Sequence, residues 1–514
     1  MRFSKWTSVA STLVAALAIT LQLPAQDSPG HKPKHHQYKL IDLGDFGGPG
    51  SETAVILPIL NNSGATLGIA QTPAHDPYDP NCMSQYFAAF PDCLVAHAFG
   101  WRNGHLTDLG ALPGANNSSY GYAINDAGVM DGISETGATD PQTGYPEVHA
   151  VVWKNGHITD LGTFGGAQSE PGGINNRGQV VGWAMNTTAD PFSAAFEGIG
   201  TNYGWTGTTQ LRAFLWENGM KRDLGTLGGP DAQAYAINQS GQIAGQSFTS
   251  YTPNPDTGIP TVDPFLWDHG TMTDLGSLGG TISWAVGLNE RGQVTGTSYV
   301  ANNQFPHGFL WDRGKLTDLG TLGGNYSYAL WLNNQGDVVG VAGLPGDGAF
   351  PAALWSHGKV TNLGTLSGDN LANANGINSA QQIVGLSCAL PCNDRSAERA
   401  FLWENSGPMV DLNALVYPPS NLHAYDGIYI NERGEIVAFA LDASGNIRAV
   451  VLVPQGDCDG DCEQRIVASQ NAAPALGLAT TSVTIPAIGR TANLWNSSFG
   501  QQSPMPGRPA GPSN

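Results

Sequence analysis

A repeated unit of four short strand-like segments constrains this chain more than any other feature of its sequence. One copy spans residues 212–247 and begins with an apolar run that ends at Trp216, followed by an Asn-Gly dipeptide typical of hairpins. The second segment ends at Asp223 in Asp-Leu-Gly, the third ends at Asn238 in Ile-Asn-x-x-Gly, and an apolar fourth segment follows. Each copy of such a repeat buries its apolar surface against its neighbours.

The marker residues of this unit recur along most of the chain. Trp ends the first segment at Trp101, Trp153, Trp216, Trp267, Trp311, Trp355 and Trp403. The second segment carries Asp42, Asp108, Asp160, Asp223, Asp274, Asp318, Asn362 and Asp411. The third ends at Asn61, Asn125, Asn175, Asn238, Asn289, Asn333, Asn378 and Asn431.

The two ends of the repeat region complement each other. Residues 448–453 have the pattern of the first segment without its Trp, and the region opens at Tyr38 with a second segment that lacks its first. Three segments at the start and one at the end therefore complete one unit. This arrangement predicts a ring closed by the N- and C-terminal strands.

Several first segments resemble a known repeat. They begin with His97-Ala98-Phe99, His149-Ala150-Val151 or His307-Gly308-Phe309, or with Arg at Arg212 and Arg399. Over residues 38–454 the chain resembles the HAF repeat family of predicted extracellular bacterial proteins. The resemblance implies an exported repeat protein and supplies no catalytic residues.

The N-terminus has the layout of a secretory signal. Residues 1–25 contain Arg2 and Lys5, then an apolar run, then Leu23-Pro24-Ala25. The apolar run is too short to span a membrane, which takes about 20 residues. Residues 26–37 form a polar leader. We therefore expect a secreted protein, periplasmic or extracellular, with no transmembrane segment in the mature chain.

Composition restricts the fold and the partners. The chain has 68 Gly, 33 Pro and only 12% charged residues, which favours many turns and an all-β fold. Its formal net charge of −20 argues against binding to nucleic acid or anionic membranes, since both require clustered cations. We expect a monomer.

Six cysteines lie in three local pairs, which favours disulfides in an exported chain: Cys82 with Cys93, Cys388 with Cys392, and Cys458 with Cys462. The last pair lies in residues 455–514, predicted to be an acidic loop followed by a largely disordered tail. Asp457, Asp459 and Asp461 resemble the start of a calcium loop without its full twelve-residue pattern. Calcium there stays an alternative to a disulfide-closed polar loop, and no other cofactor or metal is expected.

The apolar segments are continuous rather than alternating, so both faces of each strand should be covered. Small antiparallel sheets that stack face to face achieve this in a β-propeller. With four strands per unit, the sequence predicts an all-β propeller of eight four-stranded blades. Seven blades or an open array of the same units are the alternatives.

The repeated residues have structural explanations. Equivalent positions give equivalent environments, whereas acid and base catalysis needs groups with pKa values pushed apart. Asp, or Asn362 in one copy, should accept hydrogen bonds from backbone N–H groups of the glycine turn. The turn Asn should replace a backbone turn, and the Trp side chains should pack between blades. His97, His149 and His307 are replaced by Arg or Asp elsewhere, which suits a rim position.

Ligand binding is predicted on one face of the ring. The Asn turns should lie on one face, whereas the long insertions, placed between units, should lie on the other. These insertions carry five aromatic residues proposed to contact a ligand: Tyr78, Tyr86, Tyr203, Trp205 and Tyr251. Five carboxylates in connections could also serve an enzyme, but the sequence does not pair them: Glu52, Glu170, Asp231, Asp369 and Asp394.

Three functions remain open at this point. The favoured one is a secreted, non-catalytic propeller that binds a glycan or a protein through the insertions, with no catalytic residues. The second is a polysaccharide-active hydrolase or lyase on the same scaffold, and the third is a purely structural extracellular repeat. An enzyme should gather unlike titratable groups with perturbed pKa values in one pocket.

Overall fold

Four kinds of strand alternate along the chain, and each is named here after its marker residue. The computed structural model describes residues 35–54, 58–84, 90, 92–114, 116–197, 199, 208–404 and 406–471. The Asn strands, which precede the Asn turns, are β2 (Ser51–Glu52), β6 (Ser119–Ile124), β10 (Gly165–Ile174), β14 (Ala232–Ile237), β18 (Gly279–Leu288), β22 (Ser327–Leu332), β26 (Leu371–Ile377) and β30 (His423–Ile430). The Gly strands, which follow those turns, are β3 (Thr66–His75), β7 (Met130–Thr139), β11 (Val180–Ala189), β15 (Ile243–Phe248), β19 (Val294–Val300), β23 (Val338–Ala342), β27 (Ile383–Cys388) and β31 (Ile436–Leu441).

The remaining strands carry the Trp and Asp markers. The Trp strands are β4 (Leu94–Arg102), β8 (Pro146–Lys154), β12 (Thr209–Glu217), β16 (Val262–Asp268), β20 (Pro306–Asp312), β24 (Ala352–Ser356), β28 (Arg399–Trp403) and β32 (Ile447–Asp457). The Asp strands are β1 (His36–Asp42), β5 (His105–Asp108), β9 (His157–Asp160), β13 (Met220–Asp223), β17 (Thr271–Asp274), β21 (Lys315–Asp318), β25 (Lys359–Gly364) and β29 (Val410–Asp411).

Each set of four strands pairs in the order Asn, Gly, Trp, Asp, and these pairings are antiparallel. Single parallel pairs, Val148 with Gln168 and Val262 with Ile282, join two neighbouring sets each. In the described residues the strands therefore form four four-stranded and two eight-stranded sheets. The fold is all-β and compatible with a propeller-like arrangement.

The sheet that combines the two ends of the repeat region has the order β1-β32-β31-β30. Leu40 pairs with Leu452 and Ile41 with Val451, so the predicted pairing of residues 448–453 with the N-terminal unit is confirmed. The division of strands is the reverse of the predicted one, because one strand comes from the start and three from the end. The first strand also begins at His36, inside the segment predicted to be a leader.

Apolar side chains fill the spaces between successive sheets. Phe214 of β12 packs in one cluster with Ala123 of β6 and Val152 of β8, and Phe265 of β16 packs with Val181 and Ala213 of the preceding set. Within each sheet the Gly strand lies close to the Asn strand: a side-chain carbon at Gly385 of β27 would lie 1.8 Å from the carbonyl oxygen of Asn373 on β26. This two-sided burial is the arrangement that the continuous apolar segments predict.

A β-bulge interrupts the Asn strand next to its turn in every set from β6 onward. In β14 the register shifts between Ala234 and Ala236, so that Tyr235 has no partner on β15. Equivalent shifts occur in β6, β10, β18, β22, β26 and β30. Such bulges redirect side chains, and they commonly occur beside functional sites.

The strand order corrects the predicted position of the insertions. They connect Gly strands to Trp strands inside a set, as between β7 and β8, whereas short Leu-Gly-Gly connections link one set to the next. Because the strands run up and down, these two kinds of connection lie on one face, here called the insertion face. The Asn turns and the Trp-to-Asp hairpins lie on the other, here called the turn face.

Short helices lie between or after the strands: α1 (Ser193–Glu197), the 3-10 helix Ala301–Asn303, α2 (Leu412–Leu415) and α3 (Gly460–Asn471). The sequence does not predict α3, which follows the acidic loop and buries Cys462 and Ile466. Among the described residues, no helix is both long and apolar enough to cross a membrane.

All three predicted disulfides are present, Cys82–Cys93, Cys388–Cys392 and Cys458–Cys462. The first two lie in insertions and the third joins the end of β32 to α3. Disulfides persist in oxidising compartments, so these bonds fit a secreted or extracellular protein.

Candidate functional site

The repeated Asp is a structural acceptor, as predicted. Asp108 Oδ1 accepts the N–H of Gly110 at 2.7 Å, and Asn362 Oδ1 accepts that of Gly364 at 2.8 Å. The same bond to the residue two positions later occurs at the other six places. Since Asn serves as well as Asp, the fold requires an oxygen here and not a charge.

The repeated His pairs with the repeated Asp across the Trp and Asp strands. His97 Nδ1 lies 2.9 Å from Asp108 Oδ2, and equivalent pairs join His149 to Asp160, Arg212 to Asp223 and His307 to Asp318. Burial alone would raise the pKa of Asp108, but the hydrogen bonds from His97 and Gly110 outweigh it and hold the pKa below its usual range. Asp263 occupies the His position beside Asp274, and burial followed by that neighbouring charge raises its pKa to about 7.

The turn Asn has two functions. Within its own turn, Asn238 Oδ1 accepts the N–H groups of Ser240 and Gln242 at 3.1 and 3.0 Å, which is the predicted role. Its Nδ2 also donates to the carbonyl oxygen of Asn289, the next turn Asn, at 3.1 Å. The other seven do the same in chain order, and Asn431 donates to Asn61, so this amide series returns to its first member.

The Trp series packs between sheets rather than offering exposed rings. Trp101, Trp153, Trp267, Trp355 and Trp403 are buried, and Trp216 and Trp311 are half-buried. A ring of exposed Trp platforms for sugars is therefore absent at these positions.

The predicted ligand-contacting aromatics are only partly described. Tyr251 is 61% exposed in the fourth insertion. Tyr78 is half-buried, and its hydroxyl donates to the carbonyl oxygen of Ala138 at 3.2 Å. Nothing in the described residues joins these two side chains. Tyr86, Tyr203 and Trp205 lie outside the described residues.

Neighbouring insertions contact one another. Tyr78 of the first insertion reaches Ala138 at the start of the second, and Gln142 of the second bonds with Thr208 at the end of the third. Gln246 Nε2 of β15 donates to the carbonyl oxygen of Ile199 in the third insertion at 2.9 Å. These contacts join the first three insertions to one another and to β15, and Ile259 of the fourth insertion packs against the cluster that contains Phe196 and Ile199 of the third.

Buried carboxyl pairs anchor two of these insertions. Asp76 begins the first and accepts from Ser118 Oγ at 3.0 Å, while Glu135 accepts the Ser118 N–H at 2.7 Å. Burial, then the charge of Asp76, raises the pKa of Glu135 to about 8. Asp231 is similar: burial and its hydrogen bond with Asp190 raise its pKa to about 9.

Two comparable positions show what the Asp231 position does for the fold. Asp231 Oδ1 accepts the N–H of Leu211 at 2.8 Å. In two other sets a neutral side chain makes the equivalent bond: Gln168 accepts the N–H of Val148, and Ser118 accepts the N–H of Ala96. Because a neutral side chain serves in the other two sets, the acceptor role of Asp231 has a structural explanation.

One position in the Asn strands varies in chemistry from set to set. In seven sets the carbonyl oxygen of this residue lies against a glycine of the neighbouring Gly strand, and the eighth set has the same strand register. The side chain at this position is buried in all eight sets. These residues, here called the variable layer, are Glu52, Tyr120, Glu170, Gln233, Trp284, Tyr328, Asn373 and Asp426. Sequence reasoning singled out Glu52 and Glu170 but not their equivalence. In seven of the eight sets the position lies five residues before the turn Asn, but neighbouring positions vary as well, so the sequence alone does not mark it.

Polar groups of the variable layer are held differently. Burial raises the pKa of Glu170 to about 8, although a hydrogen bond from Tyr122 opposes the shift. Asp426 Oδ1 accepts from Asn375 Nδ2 at 2.8 Å. Neither amide atom of Asn373 has a hydrogen-bond partner among the described residues.

Unlike titratable groups gather where the last sets meet the first. Burial raises the pKa of Tyr425 well above its usual value; Arg395 opposes this, and the charges of Glu52, Asp426 and Glu398 add to it. Burial, then Asp426, raises the pKa of Glu398 to about 7. Each of these four acidic groups is at most 5% exposed, so a substrate cannot reach them in this conformation.

The other two carboxylates singled out in the sequence serve local structure. Asp369 accepts from Arg399 Nη2 at 2.7 Å and from Ser387 Oγ at the same distance. Asp394 is exposed and accepts from Ser396.

The acidic C-terminal loop is organised around its helix. Asp459 Oδ1 accepts the N–H of Cys462 at 3.0 Å and a hydrogen bond from Gln37 Nε2 at 3.1 Å. These bonds occupy the central member of the candidate calcium residues Asp457, Asp459 and Asp461. Within the described ranges, no group of three or more His, Cys, Asp or Glu residues could hold a metal ion.

Comparisons with known proteins give distant structural likenesses. No family model and no curated protein matches the sequence. TolB from Acinetobacter baumannii is 12% identical with a TM-score of 0.27, and the match covers 80% of this chain and 65%, less than two thirds, of that one. A PL25 ulvan lyase bound to -[GlcA(1-4)Rha3S]- is 10% identical with a TM-score of 0.36, covering 85% and 100%.

A third similar structure is the GH74 enzyme of Niastella koreensis, 9% identical with a TM-score of 0.25 over 69% of this chain and 57% of that one. At these TM-scores no activity, ligand or partner passes from those proteins to this chain.

Proposed function

We propose that this chain is an exported, non-catalytic β-propeller of eight four-stranded blades that binds a glycan or a protein through its insertion face. It acts as a monomer, belongs with the HAF repeat proteins, and needs no cofactor. The observation that carries the binding function is the joined surface of insertions.

The eight-bladed closed ring is supported by three kinds of contact. The amide series links Asn431 back to Asn61, and the cluster that contains Phe99 and Ile69 of the first set also contains Phe439 and Val451 of the last. The pairing of β1 with β32 joins the same two ends of the repeat region.

The insertion surface is supported by its construction. The first of these insertions is closed by the disulfide Cys82–Cys93, and the third is held by contacts such as that of the Phe196 ring, whose centroid lies 4.6 Å from that of Phe248. An ordered platform loses little entropy on binding, which favours recognition of a partner. Tyr251, 61% exposed, supplies contact area on this surface.

A non-catalytic function is favoured by the burial of the perturbed groups. Glu398, Asp426, Tyr425 and Glu52 include the acid and base chemistry that a polysaccharide-active enzyme would need, which makes that enzyme the second candidate. Their burial removes them from a ligand docked on the insertions. A purely structural repeat would not require the joined and elaborated insertions.

A glycan array with the purified protein tests this proposal. We expect Tyr251→Ala to weaken binding of the best glycan by about 1–2 kcal/mol, because the exposed ring contributes contact area and little packing. The melting temperature should stay unchanged. The matched control is Met220→Ala, since Met220 is 73% exposed on the turn face.

Loss of binding in Met220→Ala with full binding in Tyr251→Ala would place the ligand on the turn face. Release of sugar products from a bound polysaccharide would favour the enzyme instead.

A further inference from the structure

A second candidate site lies on the turn face. A cavity of about 460 Å³ opens there, and residues from all eight sets line it. Tyr235, Trp331 and Tyr429 form part of its wall and are only half-buried. The Trp331 and Tyr429 rings meet at 78° with their centroids 6.1 Å apart. The volume lies in the range of small-molecule sites, about 300–1,000 Å³.

The rim of this cavity is formed, in seven of the eight sets, by the residue that follows the turn Asn. Asp126 Oδ1 accepts the N–H of Asn62 at 3.3 Å, Glu290 Oε2 that of Gln239 at 3.0 Å, and Glu432 Oε2 that of Ser379 at 3.1 Å. Amide oxygens make the same bond in other sets, at Asn176, Gln239, Asn334 and Asn62. The fold therefore needs an acceptor at these positions, and the three negative charges are additional to that need.

No cation balances these charges at the cavity, because none of the described residues that line it is Lys or Arg. The arginines next in the same turns bind elsewhere: Arg291 Nη1 donates to the carbonyl oxygen of Gln335 at 2.9 Å, and Arg433 pairs with Glu435. The carboxylate field reaches the cavity wall, since burial and then the charges of Glu432 and Asp126 raise the pKa of Tyr429 to about 12.

Aromatic rings attract cations through their electron-rich faces, and carboxylates add attraction at longer range. We propose that this cavity binds a small organic cation, a protonated or quaternary amine on an apolar frame. The aromatic wall and apolar lining would hold the frame, and Asp126, Glu290 and Glu432 would select for the charge. This site is separate from the insertion face, so its failure would leave the proposed function untouched.

Calorimetry with choline and its neutral carbon isostere, 3,3-dimethylbutan-1-ol, tests the charge selection directly. We expect choline to bind about tenfold more tightly than the isostere, as a partly desolvated cation–π site allows. Added NaCl should weaken the binding of choline and leave that of the isostere unchanged.

The variants follow the chain's own pattern. Asp126→Asn, Glu290→Gln and Glu432→Gln combined keep the rim acceptors and should weaken choline binding by about tenfold. Glu290→Gln alone gives a second, milder test. Asp312→Asn is the matched control, because Asp312 lies in a hairpin of the turn face but does not line the cavity.

Equal affinity for choline and its isostere, salt-independent choline binding, or full binding by the combined variant would overturn the proposal. So would the absence of binding by choline, tetramethylammonium and glucosamine alike. Tight binding of glucose with none of the cations would identify a neutral-sugar site instead.

Discussion

At the scale of single residues, the two kinds of hydrogen bond made by the turn Asn explain why Asn occupies this position in all eight sets. Asp or Ser would suffice if the side chain only closed the turn. Its oxygen closes the local turn, as at Ser240 and Gln242, and its Nδ2 bonds to the next set. Asp can provide the first bond but not the second. The amide is therefore required wherever both bonds are made.

Substituting Asn238→Asp separates these two roles. The turn acceptor is kept, but the donor to the Asn289 carbonyl is lost and a charge is placed at a site only 2% exposed. We expect the free energy of unfolding to fall by about 1–3 kcal/mol, measured by urea denaturation.

Asn362→Asp is the matched control for this change. Asn362 occupies a place where most sets have Asp, and it acts only as an acceptor for Gly364. We expect a change within about 0.5 kcal/mol. Equal losses in the two variants would mean that the amide series contributes nothing to stability.

At this scale, the hydrogen bonds that the sequence could predict are those between residues close together in the chain. The Asp-to-Gly bond spans two residues, so local sequence suffices to anticipate it. The pairing of His97 with Asp108 spans two strands and depends on their register, although the constant spacing of eleven residues carried the information. The Nδ2 bond to the next set depends on how sheets stack, which a local pattern does not encode.

At the scale of elements, β1 protects β32. Seven pairs join these strands, and Arg448 of β32 also bonds to Asp42 and Asp45. The sequence predicted this pairing from a missing segment at each end. The assignment of three strands to the start was wrong because the repeat was read with the Trp segment first, whereas the sheets begin with the Asn strand.

Removing β1 should expose the edge of β32. A chain starting at residue 43 should melt at a lower temperature and associate, because an unpaired edge strand pairs with other chains. A chain starting at residue 35, which keeps the strand, is the control. Melting and size-exclusion measurements that do not distinguish these two chains would contradict the proposed closed ring.

At the scale of the whole molecule, the buried carboxyl groups determine how stability depends on pH. Burial raises the pKa of Asp131, Glu135 and Glu170 to about 8, and burial together with Asp190 raises that of Asp231 to about 9. In the unfolded chain the pKa of such carboxyl groups is about 4. Unfolding therefore releases protons between these values, and stability decreases as the pH rises through that window.

We expect the urea midpoint to be higher at pH 5 than at pH 9. Each proton released on unfolding lowers stability by about 1.4 kcal/mol per pH unit. Asp131→Asn should flatten this dependence, because the amide keeps an acceptor for the Ala123 N–H and removes the titrating group. A midpoint that is constant or rises from pH 5 to pH 9 would contradict the assignment.

The candidate sites were less predictable than the fold for a related reason. Repetition identifies residues that every set needs, such as Trp and Asn, but function depends on residues that differ. Glu170 and Asp426 share a position with Trp284 and Tyr328, and only the strand register shows this. The turn-face cavity depends on bulges that redirect residues such as Tyr235, and no sequence signal marked those bulges.

The pairing of β1 with β32 also determines how the protein can be made. Asp42 and Arg448, which meet at this junction, are 406 residues apart in the chain. The hydrogen bonds between β1 and β32 therefore cannot form until β32 has been made as well. A prematurely terminated chain that lacks β32 leaves β1 without its partner strand and available to proteases and chaperones, so any truncation before β32 removes the sheet that joins the two ends of the repeat region.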